Sequence, residues 1–295
     1  MYLYRIHIRP QGGEANIQTT FNYCLSNGLL GVGWRTETNR NTKVWDEYFD
    51  EASKLHNNLQ NCAYIHKRIK EGDLVWTRDG QAQYYIARVK SGWEYWQSQE
   101  AVDFDIDIAN IFRCDFQRVV KDAVPGKVIA CFRAPKSVQS IADNATIEYS
   151  KYLWNKLARC HAYTIDQSKF PDIFTMLDDE ETEDLLFLYL QTLGWHIVPN
   201  SRKADTMRFE FFLVNPVTGD RADVQVKTGN ERLNSDTYGQ HSNQVFLFQS
   251  NEYYDGSTYD NVTCISQAEL VRFMRRAINW LPSSFKIKLE LVRQD

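Results

Sequence analysis

Short runs of alternating apolar and polar residues fill the first half of the chain, and helical spacing punctuates the second. Residues 3–8, 30–34, 73–77, 84–89, 111–119 and 128–132 are rich in β-branched and aromatic side chains, with turn signals such as Asp79-Gly80, Ser91-Gly92 and Val124-Pro125-Gly126-Lys127 between them. That pattern predicts hairpins closing into a barrel or sandwich, with one or two inserted helices near 45–70. Over 145–162, Ile147, Tyr152, Leu153 and Leu157 fall near helical spacing, which predicts a connecting helix. Beyond it the pattern predicts helix 178–193, strand 194–198, strand 207–214, a turn at Asn215-Pro216-Val217-Thr218-Gly219, strand 221–227, strand 244–249, strand 261–265 and helix 266–279. This order is that of an α/β unit around a central mixed sheet. The expected organisation is a β-barrel domain over 1–141, a linker helix over 142–169 and an α/β domain over 170–295.

At 295 residues the chain is long enough for two such domains, each with its own core. No apolar stretch is long enough to cross a bilayer, and the N-terminus alternates like a strand instead of reading as a signal peptide. A cytoplasmic protein without a membrane partner is the expectation. The six cysteines are scattered singly, so reduced thiols are expected in place of a zinc centre or a disulfide framework. A net charge of −4 argues against a chain that coats nucleic acid indiscriminately. Residues 151–295 carry 16 Lys+Arg against 20 Asp+Glu, so this half needs bound cations to approach a polyanion.

Phosphodiester hydrolysis requires an activated water, a Lewis acid on the phosphoryl oxygens and a group that neutralises developing charge. Carboxylates holding magnesium and one lysine supply all three. Glu210 lies between Phe209 and Phe211 in one expected strand, and Gln225-Val226-Lys227 ends the next. Gln225 and Lys227 are two apart, so they leave the same sheet face, and a hairpin of this length puts Glu210 opposite them. Glu210 inside an aromatic strand is costly to bury without a partner. His196 and His241 read as bystanders.

With these residues in place, 178–280 resembles the PD-(D/E)XK nuclease superfamily, and most its Mrr-like branch, in which the third motif position is Gln. Glu183 stands on the first helix eleven residues before Gly194-Trp195, Glu210 occupies the acidic strand position, and Gln225-Val226-Lys227 supplies the last motif. The resemblance implies that Glu210 and Gln225 bind Mg²⁺ (or Mn²⁺) with the Val226 carbonyl, that Lys227 polarises the attacking water, and that Glu183 supports the metal site. The first acid departs from the usual Asp, and Asp205 competes with Glu210 for that position.

In the first half, Gly31-Val32-Gly33-Trp34, the stretch Lys70-Glu71-Gly72-Asp73-Leu74-Val75 and a strand ending in Arg88-Val89 resemble the EVE/PUA-like β-barrel family, whose relatives include YTH readers. Barrels of that family hold a flipped base between aromatic faces. Trp34, Trp76, Trp93, Tyr95 and Trp96 are the candidate stacking surfaces, and Arg78, Asp79 or a backbone group the candidate readers of the base edge. For any single Trp, barrel core is the commoner outcome, but neighbours on a strand point to opposite faces, so Trp93-Glu94-Tyr95-Trp96 is expected to leave at least one ring outside the core. Together the two resemblances imply a modification-dependent endonuclease that finds a modified base in DNA and cuts nearby with Mg²⁺, with a homodimer possible. A nuclease responding to RNA or a nucleotide signal, and an inactive nucleic-acid-binding protein, are the alternatives.

Overall fold

The computed structural model describes residues 1–9, 12–38, 41–199, 201 and 209–292. The chain divides into two compact units, one formed by Met1–Pro171 with the segment from Ser283 onward, the other by Asp172–Pro282.

The first unit is built on β1 (Leu3–Ile6), α1 (Ile17–Ser26), β2 (Leu29–Val32), α2 (Trp45–Leu55), α3 (Gln60–Arg68), β3 (Leu74–Arg78), β4 (Tyr84–Val89), β5 (Glu94–Tyr95), α4 (Gln99–Asp103), β6 (Asn110–Val119), α5 (Gly126–Cys131), β7 (Val138–Ile141) and α6 (Asn144–Ala158). The strand order is β2-β6-β4-β3-β1-β7, with β5 also on β6. The ten-residue β6 makes the curl. Its first residues pair with β2 and β5 and its later ones with β4, so one strand carries the chain round the bend. Strands β1 and β3 are parallel, and the intervening helices provide the crossover that parallel neighbours require. The result is a curled half-barrel with β2 and β7 at the two ends of the order, where the sequence predicted a barrel.

Two sequence expectations are corrected in this unit. Residues 128–132, expected as a strand, are mostly helix α5, which starts directly after Pro125. Short apolar runs do not distinguish a strand from a buried helical turn, and a preceding proline presets the first turn. Helix α6, expected as a linker, instead covers the sheet. Trp76 of β3 is fully buried and donates Nε1–H to Ser150 Oγ of α6 at 3.0 Å. This cover explains why Leu74, Val75, Trp76 and Thr77 are all buried, where a half-exposed strand would alternate.

The second unit contains α7 (Asp179–Thr192), β8 (His196–Ile197), β9 (Phe211–Val214), β10 (Arg221–Lys227), β11 (Leu233–Asn234), β12 (Gln244–Gln249), β13 (Tyr254–Asp255), β14 (Val262–Ile265) and α8 (Gln267–Ala277). Its five-stranded mixed sheet has the order β14-β12-β10-β9-β8, with β10, β12 and β14 parallel and β9 antiparallel to β10 and β8. Reciprocal capping boxes start both helices, Asp178 with Glu181 on α7 and Ser266 with Glu269 on α8. Helix α8 buries Leu270, Phe273, Met274 and Ala277, one stripe at helical spacing. The β9–β10 hairpin turns at Gly219, whose φ of +79° suits a residue without Cβ. After this unit α9 (Ser283–Leu291) returns to the first, where Glu290 meets Lys156 at 2.6 Å and Tyr152 Oη at 2.7 Å. Among the described residues no helix is long and apolar enough to cross a membrane.

Candidate active site

Strand β10 lies in the middle of the second sheet, and its register with β9 pairs Val224 with Phe211. Continuing that register by one residue sets Gln225 opposite Glu210, and the Glu210 amide donates to the Val224 carbonyl at 2.8 Å. The Gln225 side chain, 4 % exposed, donates Nε2–H to Glu210 Oε1 at 2.8 Å and approaches the Val226 carbonyl at 3.2 Å. A buried amide and a half-buried carboxylate thus satisfy one another, which removes much of the penalty of burying either. In this arrangement Gln225 orients Glu210 through its amide nitrogen.

Lys227 stands two residues farther along the same face of β10, with its ammonium 3.3 Å from Glu231. Both side chains are more than a third exposed, so the pair is worth about 0–1 kcal/mol and exchanges readily for another anion. Thr228 Oγ1 donates to Asp179 Oδ1 at 2.6 Å, which ties the first turn of α7 to the end of β10. Asp179 and Glu183 are four residues apart and share one helix face. A cavity of about 220 Å³ is lined by Asp179, Glu183, Glu210, Val226, Lys227, Thr228 and Glu231.

Of the sequence-predicted catalytic residues, Glu183, Glu210 and Lys227 therefore border one cavity, and Gln225 is bonded to Glu210 beside it. Asp205 lies outside the described residues. Sequence reasoning did not single out Asp179, whereas Thr228 and Glu231 fall in the polar, turn-rich stretch 228–235 that the sequence expects to border the metal site. His241, expected as a bystander, hydrogen-bonds through Nε2 to the buried Asp223 carboxylate, which also accepts from Asn243 Nδ2 at 2.9 Å. His196 is exposed on β8.

Four carboxylates around the cavity against one ammonium make a site that favours a cation, and an all-oxygen donor set suits a hard ion such as Mg²⁺. Among the described residues no three His, Cys, Asp or Glu side chains converge as a ready metal centre. The oxygen donors that the lining offers such an ion are the Glu210 and Glu183 carboxylates with the Val226 carbonyl, and Gln225 meets Glu210 through its amide nitrogen.

The first unit holds a larger cavity, about 880 Å³, whose wall includes His7, Arg9, Gly33, Trp34, Asp107 and Lys136. Trp34 is the one predicted base-binding residue on that wall. Its φ of +64° is left-handed, a conformation that costs a non-glycine residue on the order of 1–3 kcal/mol, and its carbonyl is held by Tyr48 Oη at 3.0 Å. A Cβ at Gly33 would come 2.2 Å from Asp107 Oδ2, so this glycine lets the acid approach the strand end.

The other predicted base-binding residues are placed elsewhere. Trp76 is core beneath α6. Trp93 is 6 % exposed, donates to Asn110 Oδ1 at 3.1 Å and packs edge-on to Trp45. Tyr95 is buried, stacked on Tyr48, and its hydroxyl accepts from the Thr36 amide at 2.9 Å. Trp96 lies under the Arg113 guanidinium at 4.2 Å and beside Tyr23. Arg78 sits over Phe132 at 4.9 Å, and Asp79 closes its own turn by accepting from the Gln81 and Gln83 amides.

No curated protein and no solved structure is matched by the chain. The family model that does match, over residues 9–105, is described as a domain of unknown function, DUF8426, and its span takes in Arg9, Gly33 and Trp34 of the larger cavity.

Proposed function

We propose that the second unit is a metal-dependent nuclease core of the PD-(D/E)XK type, Mrr-like in its Gln225-Val226-Lys227 motif. In this reading the whole chain is a modification-dependent DNA endonuclease whose first unit, EVE/PUA-like, recognises the modified base. The observation that carries it is the Gln225–Glu210 hydrogen bond across the β9–β10 hairpin, with Lys227 next on the same face and Glu183 across the cavity. Order and spacing in the sequence suggested these partners, and the helical Glu183 carboxylate bordering the same cavity as Glu210 and Lys227 supports the reading.

Mg²⁺ would be held by Glu210, Glu183 and the Val226 carbonyl, with Gln225 adjoining; when bound it supplies charge neutralisation at the scissile phosphate and acidifies a water. Gln225 fixes the rotamer of Glu210, so the carboxylate is preorganised. Lys227 exchanges Glu231 for the phosphate, and its ammonium then lies where negative charge develops on the phosphoryl oxygens. Asp179, through Thr228, holds the α7 face that carries Glu183 against the strand end.

A digest of phage DNAs carrying different cytosine and adenine modifications, with and without Mg²⁺, tests the reading. Cleavage confined to one class of modified DNA and dependent on the metal is the expected outcome. Intact DNA of every class, with Mg²⁺ present, would refute it.

A further inference from the structure

The larger cavity of the first unit is too roomy for a base alone. A flipped base is held in a snug slot, whereas about 880 Å³ lies in the range that accommodates whole small-molecule ligands. We infer that this cavity binds an intact nucleotide, the base against Trp34 and the phosphate between Arg9 and Lys136. The inference rests on the reading of the first unit as the recognition module.

Three features of the wall carry it. His7 is 8 % exposed, and its Nε2 accepts from Arg9 Nε at 3.1 Å, which leaves the proton of the neutral ring on Nδ1. That Nδ1 has no hydrogen-bond partner among the described residues. A buried donor without an acceptor is costly, and a ligand oxygen or ring nitrogen reaching it removes the cost. The second feature is cationic. Arg35 is already engaged by Asp105 at 2.7 Å and Asp107 at 3.5 Å, whereas Arg9 and Lys136 are exposed on the cavity rim. The Lys136 carbonyl is anchored by the buried Arg5 guanidinium, which fixes where the lysine stem starts. The third is Trp34, half-buried against the core with its left-handed backbone held by Tyr48, which offers an aromatic surface on the wall. Asp107, the one carboxylate on this wall among the described residues, is countered by Arg35 at 3.5 Å. An anionic end, an aromatic body and a hydrogen-bond acceptor together describe a nucleotide. The phosphate can belong to a free nucleotide or to a nucleotide displaced from a strand.

Isothermal titration of the full chain with deoxynucleoside 5′-monophosphates, including N6-methyl-dAMP and 5-methyl-dCMP, tests the inference against three controls. These are the matching nucleosides, inorganic phosphate and a short single-stranded oligonucleotide of the same base. At least one monophosphate or the oligonucleotide should bind at least about tenfold more tightly than its nucleoside, since a charge-assisted phosphate contact is worth that factor. Lys136→Ala should remove that advantage, and Arg9→Ala should remove it and also weaken nucleoside binding, because His7 loses the bond that fixes its tautomer. Binding of the free monophosphate identifies a soluble ligand; binding of the oligonucleotide alone identifies a strand. Equal affinity for nucleoside and monophosphate, no binding by any probe, or indifference to both substitutions would overturn it. DNA cleavage measured on the same samples separates the two ideas. Nucleotide binding without cleavage refutes the nuclease reading alone, and cleavage with phosphate-independent binding refutes this inference alone.

Discussion

The amide of Gln225 and the carboxylate of Glu210 meet at 2.8 Å across the β9–β10 hairpin, the amide donating and the carboxylate accepting. A Gln at this position does what an acid there does not. It holds its neighbour's charge in place without adding a second one.

Replacing Gln225 with Glu turns this contact into two facing carboxylates, one of them on a buried position. Without divalent metal the Gln225→Glu protein should lose about 1.5–3 kcal/mol in urea denaturation, the worth of a hydrogen bond to a charged group. Mg²⁺ should restore more stability to this variant than it adds to the wild type, because a cation between two carboxylates reverses their repulsion. Identical responses to Mg²⁺ would show that no ion is held there.

Gln249 is fully buried opposite Lys227 and fixes the segment after the motif. Its Nε2 donates to the Gly229 and Glu231 carbonyls, both at 2.8 Å, and its Oε1 accepts from the Asn251 and Tyr253 amides. Gln249→Ala leaves these groups without partners and should cost about 1–3 kcal/mol or more. Hydrogen exchange at the Asn251 and Tyr253 amides should accelerate in the variant, and cleavage should fall as Glu231 and Lys227 lose their fixed spacing. Unchanged protection at both amides would contradict this.

Burial first, then the nearby Arg9, Arg78 and Arg5 charges, lower the pKa of His7 from the ordinary 6.5 to about 4. The unfolded chain takes up the proton at a higher pH than the folded one. Stability from this source is therefore complete above about pH 6.5, declines as the pH falls, and is lost by about pH 4. Its size is on the order of 3 kcal/mol. The stability gap between wild type and His7→Gln, read from urea midpoints at pH 7, 5.5 and 4.5, should narrow with acidity; a constant gap would count against a buried neutral imidazole.

Trp76 and Trp34 should separate cleanly. Trp76→Ala empties a fully buried site and removes the hydrogen bond from Nε1–H to Ser150 Oγ, at a cost of about 3–5 kcal/mol. Trp34→Gly removes a half-buried ring from a left-handed position that glycine adopts without strain, so its stability cost should be the smaller of the two. Comparable losses in guanidinium titrations would mean that Trp34 is core as well.

Strands over 221–227 and 244–249 were legible to the residue, because alternating or apolar runs there are bounded by unambiguous turn residues. Helix α5 was not, since five apolar residues in a row carry no period. Helix α1 was also missed, its buried Phe21, Tyr23 and Cys24 being spaced too closely to stand out as a helical stripe. The candidate site was legible in its order, Glu183, Glu210, Gln225 and Lys227. The direction of the Gln225 amide and the presence of Asp179 depend on side-chain pairing and on how α7 packs against β10, which single-sequence patterns do not record. The aromatic set was the least legible. Strand alternation says that neighbouring rings point opposite ways, and cover by α6 then buries a face that alternation alone would leave open.

The most direct test of the nuclease assignment compares wild type with Lys227→Ala on modified DNA at several Mg²⁺ concentrations. Lys227 is partly exposed and its ion pair is weak, so the variant should fold with near-normal stability, checked by thermal denaturation. Metal-dependent cutting by the wild type and a loss of at least about a hundredfold in the variant is the expected result. Equal cutting by both proteins would contradict the assignment.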